Sequence, residues 1–258
     1  MRTMQRGLSL VELLVALAIG SFLMLTSAQV VIDNKLSYLF QRAQADNQNN
    51  ARFTMQWLDR QLARTGFKRR PEQAMEAAFP ALDEAGSGVP GCVFAAGQVV
   101  VSVNAKTLCI RYQPSDRQEL DCLGNSRPAN TASLAIPYAE PVEAYVEKLS
   151  INATQQLMCT SKDGTATLIE GITDARFDYG VAAAGALDVL AYTATPAPGD
   201  LVRSIRYAAL ISAAVPGGTA ASNALAWRYW YEKDFPAAPT LRLYQVVKGT
   251  ATLRNVLP

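Results

Sequence analysis

Histidine is absent from the 258 residues, which removes the commonest general base and the commonest zinc ligand together. The four cysteines, Cys92, Cys109, Cys122 and Cys159, show no CxxC or other metal-ligand spacing. With no catalytic constellation and no ligand set, the chain is read as a non-enzyme that holds no cofactor and no metal. A charge excess of one sign is lacking too. Lys and Arg number 24 against 22 Asp and Glu, a net +2, and two of the cations are Arg2 and Arg6 at the extreme N-terminus. Without those two the side chains balance, so nothing steers the chain toward nucleic acid or an anionic surface. Proline is missing from Leu8 to Thr65, where Gly20 is the lone glycine. No Ala-x-Ala cleavage site follows the apolar run of that segment, which argues against an ordinary secretory signal peptide.

What is present begins with that run. Residues 7–24 read GLSLVELLVALAIGSFLM, one acid (Glu12) five residues after Gly7 in an otherwise apolar, helix-forming stretch, preceded by the basic leader MRTMQR. A carboxylate inside a membrane-spanning helix costs roughly 2.5–3.5 kcal/mol on translocon scales, so a plain signal anchor has no reason to keep one. Arg2 and Arg6 are where the positive-inside rule holds a leader in the cytoplasm. With no proline, one helix over 8–66 is expected, about 1.5 Å per residue and far longer than a ~30 Å hydrocarbon core. Its first half, 8–32, is apolar nearly all round. Its second half, 33–66, is amphipathic: Ala51, Met55, Leu58 and Leu62 share a face, with Phe53 and Trp57 as an adjoining stripe. Gly66 reads as the stop.

Residues 67–91 are linker-like, rich in proline and glycine. Period-two alternation then predicts strands at 98–103, 108–113, 142–151, 156–161, 165–170, 175–180, 187–194, 201–213, 226–232 and 241–248. Lys162-Asp163-Gly164 reads as a hairpin turn in which Asp-Gly accepts positive φ, and Pro196–Asp200 and Pro216–Gly218 as loops. The fold class is α+β: a long N-terminal helix packed on one enlarged antiparallel sheet, with 67–258 as the β-rich globular domain. An even number of scattered cysteines in an exported domain points to disulfides. Three connectivities are open; Cys92–Cys109 with Cys122–Cys159 is favoured because each pair links neighbouring strands or loops.

Gly7, a hydrophobic residue and then Glu12 resembles the class III leader of type IV pilins and type II secretion pseudopilins. Further stretches resemble the PilW group of minor pilins: Asn34–Tyr38, Asn50–Phe53, Asp121–Asn125, Leu157–Cys159, Leu168–Ile172 with Phe177–Gly180, and Leu253–Asn255. The resemblance implies a type IV pilin-like fold with residues 1–7 as the leader. It implies cleavage between Gly7 and Leu8 by the prepilin peptidase and N-methylation of Leu8, although Leu8 stands where the family usually has Phe. Many major pilins carry a proline in the protruding half of the helix, which this chain lacks.

The function so implied is a minor pilin that primes pilus assembly and sits at the fibre tip. Its partners would be other minor pilins, the major pilin, the inner-membrane assembly platform, a large tip adhesin and, before assembly, membrane lipid. Before assembly it would be a single-pass inner-membrane protein with a periplasmic domain, and afterwards a cell-surface component serving processes such as twitching motility. Glu12 would neutralise an N-terminal amine as helices bundle. Its bland alternative is a side chain reaching for the membrane interface.

Rival readings rest on thinner features. A type II secretion minor pseudopilin shares leader and fold. A DNA-binding competence pilin has only Lys68-Arg69-Arg70, and cations after a helix C-terminus interact favourably with its dipole anyway. Asp116, Glu119 and Asp121 cluster as a calcium loop might, but lack the EF-hand's glycine and terminal glutamate. Glu140 and Glu143 flank Pro141 with no nucleophile nearby. Asn152-Ala153-Thr154 fits a glycosylation pattern. The aromatic run Trp227–Tyr231 reads as a strand aromatic on both faces, either buried or a contact surface for another subunit.

Overall fold

The computed structural model describes residues 9–116, 118–126, 138, 143–183, 185–186, 188–197, 199–215, 224–232 and 242–256. The first element, α1 (Leu10–Arg64), is a single helix of 55 residues, about 80 Å long. Ser9 caps it and accepts from the Val11 N–H, while Glu12 reaches back to the Ser9 N–H at 3.1 Å. That reciprocal pair satisfies two of the free donors of the first turn. The helix ends where Gly66 takes φ +75° and donates its N–H to the Arg111 carbonyl. Asn255 closes the same end by donating to the carbonyls of Ala63 and Thr65.

Two short helices follow, α2 (Met75–Ala78) and α3 (Glu84–Ser87). This irregular stretch is held by Arg111. Its buried guanidinium donates to the carbonyls of Phe79, Pro80, Ala95 and Gln98 and lies between the rings of Phe79 and Phe94. No carboxylate is among these partners, and burial lowers its pKa to about 10.

The β-domain is two antiparallel sheets where one enlarged sheet was expected. β1 (Val100–Asn104), β2 (Thr107–Tyr112), β3 (Tyr145–Ile151), β4 (Gln156–Ser161) and β5 (Gly164–Glu170) form a five-stranded meander in sequence order. β6 (Ile172–Ala182), β7 (Ala191–Thr193), β8 (Leu201–Ala214) and β9 (Arg242–Thr252) form a four-stranded sheet in the order β7-β6-β8-β9. The sequence hides this division because only Gly171 separates β5 from β6. Gly171 has φ +78°, and a side chain there would strike the Ser212 carbonyl. The hairpin at Lys162-Asp163 lies between β4 and β5, but of its residues only Gly164 has positive φ.

The core lies between α1 and both sheets. Leu58 and Leu62 of the helix meet Leu108, Ile110 and Leu149 of the first sheet and Phe177, Ile205 and Tyr207 of the second. A neighbouring cluster joins Ala51 to Leu157, Ile169, Ile172, Ala209, Ile211 and Val247. Phe53 is exposed rather than packed, because the buried stripe of α1 passes through Ala43, Asn47, Ala51, Thr54, Leu58 and Gln61.

The predicted strand at 226–232 is instead a helix, α4 (Ala224–Tyr231). Its alternating aromatics are also spaced three and four apart, so Trp227 and Tyr231 stack at 4.4 Å while Trp230 is buried against Leu210 and Tyr244. Aromatics at these spacings satisfy a helix as well as a strand. α4 covers the face of β8 and β9 that points away from α1. The predicted strand at 187–194 shortens to β7, and the loop at Pro216–Gly218 lies outside the described residues, as does Glu140.

Candidate assembly helix and its anchorage

The two halves of α1 meet different surroundings. Every described side chain from Ser9 to Tyr38 is exposed. An 18-residue stretch with mean hydropathy 2.1 has none of its residues buried, so this helix is long and apolar enough to cross a membrane. Its polar groups turn inward on the backbone: the hydroxyls of Ser21, Thr26 and Ser27 donate to carbonyls three or four residues back. Glu12 is the lone acid before Asp33 and is occupied by the capping box. Gly7 and Leu8, the expected cleavage and methylation positions, lie outside the described residues. The helix runs unbroken through Gly20.

Burial begins at Leu39 and Ala43, later than the change in composition at Asp33. From there the helix is fixed to the β-domain by side chains the apolar pattern passes over. Asn50 donates to the Glu170 carbonyl at the end of β5. Asp59 accepts from the Tyr207 hydroxyl at 2.8 Å, a contact possible because the Tyr207 ring lies over Gly249, where any Cβ would clash. Gln61 donates to Glu147.

Glu147 is the centre of a buried polar group that joins three parts of the chain. It is wholly buried on β3 and accepts from the Tyr112 hydroxyl and the Cys122 N–H, each at 2.8 Å, as well as from Gln61. Burial pushes its carboxyl from 4.5 to about 7, against the opposing pull of those hydrogen bonds. Nearby, Arg64 pairs with Glu119 at 3.4 Å and lies against the Tyr112 ring. The alternation of Tyr145, Glu147 and Leu149 puts this acid on the inward phase of its strand, the one sequence signal that could have singled it out.

Cys122 is bonded to Cys159, and Cys92 to Cys109. The first bridge ties the loop before β3 to β4, and the second ties the irregular stretch to β2. Cys122, Cys159 and Glu147 place their ligand atoms within 4.8 Å of one another, but the disulfide occupies both sulfurs and leaves no thiolate for a metal.

The thinner sequence features resolve into local structure. Arg69 is buried and donates to the carbonyls of Pro114 and Ser115, Lys68 donates to the Gln73 carbonyl, and Arg70 pairs with Glu72. The basic cluster is therefore engaged within the chain. Asp116 accepts from the N–H groups of Gln118 and Glu119, Asp121 from those of Leu123 and Asn125, and Glu119 from that of Ser115. These carboxylates order their own loop. Glu143 pairs with Lys162. Asn152 shapes the β3–β4 turn by accepting from Thr154 and Gln156.

Residues 2–28 match the family model described as the prokaryotic N-terminal methylation motif. No curated protein matches the chain. Among solved structures, a type IV-like pilin from Thermus thermophilus is similar, at 13% identity and a TM-score of 0.45, over 82% of this chain and 97% of that one. The chain carries a prokaryotic N-terminal methylation motif at the head of a long helix packed against antiparallel sheets.

Proposed function

We propose that this protein is a minor pilin of a type IV pilus, part of the minor-pilin complex that primes assembly and sits at the fibre tip. The observation that carries the reading is the bare apolar half of α1. An apolar surface of that length is too large to leave in water, so it belongs either in lipid or among the helices of other subunits. The methylation motif at 2–28 supports the second destination after the first.

In this reading the prepilin peptidase cuts between Gly7 and Leu8, and Leu8 becomes the methylated N-terminus. The globular domain then stands on the periplasmic side of the inner membrane until the helix is drawn into the fibre. Ser9 becomes the second residue, and Glu12 lies one helical turn from a new ammonium. A carboxylate and an ammonium buried together cost less than either alone, so Glu12 exchanges its Ser9 partner for an amine in the helical bundle.

Mass spectrometry of the mature protein tests the processing: a methylated N-terminus at Leu8 is expected, and a chain still starting at Met1 overturns the reading. Glu12→Ala should leave membrane insertion intact and sharply lower incorporation into pili. Ser9→Ala, which removes the cap but keeps the charge, should incorporate normally; equal losses in the two variants would reduce Glu12 to a helix cap.

A further inference from the structure

The two disulfides sit in unlike surroundings. Cys92 and Cys109 are both wholly buried in an apolar cluster with Val89, Phe94 and Val146. Cys159 is wholly buried on β4, but its partner Cys122 is only part-buried, in the loop before β3. The Cys122–Cys159 bond therefore runs from the core toward solvent. Both of its sulfurs lie within 4.8 Å of a carboxyl oxygen of Glu147, a group that the anchorage of α1 uses only as an acceptor.

That arrangement decides which sulfur can be attacked. Disulfides exchange when a thiolate attacks one sulfur and expels the other, and a thiolate arriving from solvent meets Cys122 first. The sulfur expelled is then that of Cys159. A thiolate left in a buried site is costly, because desolvation disfavours its charge, so the exchange needs a proton at Cys159.

Glu147 holds one within reach. Burial pushes its carboxyl up to about 7, so it stays protonated over a range in which an ordinary carboxyl is ionised. The Tyr112 hydroxyl, the Gln61 amide and the Cys122 N–H are in place to receive the carboxylate once the proton has gone. Of the charged groups facing it, Arg64 of α1 favours the carboxylate and Asp121 of the loop disfavours it. The Tyr112 hydroxyl of β2 is pushed far above its ordinary range by burial and remains a neutral donor.

We propose that Cys122–Cys159 is a thiol–disulfide exchange site in which Glu147 gives its proton to the leaving sulfur of Cys159. The substrate class is a thiol. Its thiolate forms a bond to Cys122 Sγ, the Cys122–Cys159 bond breaks, and the electron pair goes to Cys159 Sγ with the proton from Glu147. A second thiolate then attacks the first thiol's sulfur, and Cys122 leaves as a thiolate that takes a proton from solvent. Two thiols are thereby oxidised to one disulfide, and the bridge is reduced to two thiols. Cys92–Cys109, with both sulfurs enclosed, stays closed. The loop of Cys122 also carries Glu119 and Leu120, which both bond to Arg64, so opening the bridge frees from β4 the segment that rests on the last turn of α1. The inference stands whether or not α1 enters a fibre.

The test exposes the full chain in detergent to reduced glutathione, quenches with acid at intervals and maps the cysteines by mass spectrometry. Glutathione is expected on Cys122, with a free thiol on Cys159 and an intact Cys92–Cys109 bridge. The exchange rate divided by the glutathione thiolate concentration should fall about tenfold from pH 6 to pH 8, as Glu147 loses its proton. Glu147→Gln should hold that rate flat at the lower value. Should the variant fail to fold, the adduct map and the pH profile of the unaltered chain still decide. An adduct on Cys159, a Cys92–Cys109 bridge that opens as fast, a corrected rate that does not fall between pH 6 and pH 8, or a folded Glu147→Gln with the parent's profile overturns the inference.

Discussion

From Leu10 to Tyr38 the side chains of α1 are exposed although most are apolar, whereas from Leu39 onward the buried stripe includes Asn47, Thr54 and Gln61. The two halves thus invert the usual rule that apolar groups go inside and polar groups outside. The distal half keeps an apolar surface long enough to cross a membrane outside the domain. The proximal half is held by specific polar contacts as well as by packing, and these fix where along β3, β5 and β8 the helix rests. Apolar burial alone would let a smooth helix slide; Asp59–Tyr207 and Gln61–Glu147 each have one register in which they close.

Matched truncations in the two halves give the largest contrast. Leu62 is fully buried, and Leu62→Ala should destabilise the β-domain by about 2–5 kcal/mol in denaturant unfolding of the full chain in detergent. Leu17→Ala on the distal half should shift the same transition by less than about 0.5 kcal/mol. Similar losses at both positions would break the contrast.

Glu147 sharpens it next, through pH. Its folded pKa of about 7 lies above its ordinary 4.5, so the folded state binds the extra proton between those values. The stability tied to this group is fully present below pH 4.5 and is lost as pH rises through 7, a change on the order of 3 kcal/mol. Glu147→Gln should flatten the dependence across that window in unfolding measured from pH 4.5 to 8. A variant with the parent's slope would show that another group titrates there.

The smallest of the three effects concerns Gly249. A Cβ there would meet the Tyr207 ring and push its hydroxyl from Asp59. Gly249→Ala should cost about 1–3 kcal/mol and raise hydrogen exchange in α1 around Asp59, leaving the distal half unchanged. Unchanged exchange around Asp59 would mean that Tyr207 does not help set the helix's position.

Much of this was legible in the residues. An unbroken helix followed from the missing prolines and the single glycine, and its end from Gly66. β2, β3, β4, β5 and β8 lie close to where alternation put them. The anchorage was less visible, since Asn47, Thr54 and Gln61 are polar on a helix whose apolar positions alone suggested a face. Glu147 sat unread on the inward phase of β3. The Trp227–Tyr231 run misled because aromatic residues at alternate positions also recur at i, i+3 and i+4. The division into two sheets was hidden by a one-residue junction, which no length rule for loops would flag.

That junction also ties the two sheets to the helix. Gly171 joins the two sheets without slack, and Asn50 of the helix grips the carbonyl immediately before it. The helix and both sheets therefore meet at one point, well along α1 toward its C-terminal end, where Ala51 also packs against Ile169 of β5 and Ile172 of β6. A change at Gly171 would thus be felt by three elements together rather than by one sheet alone.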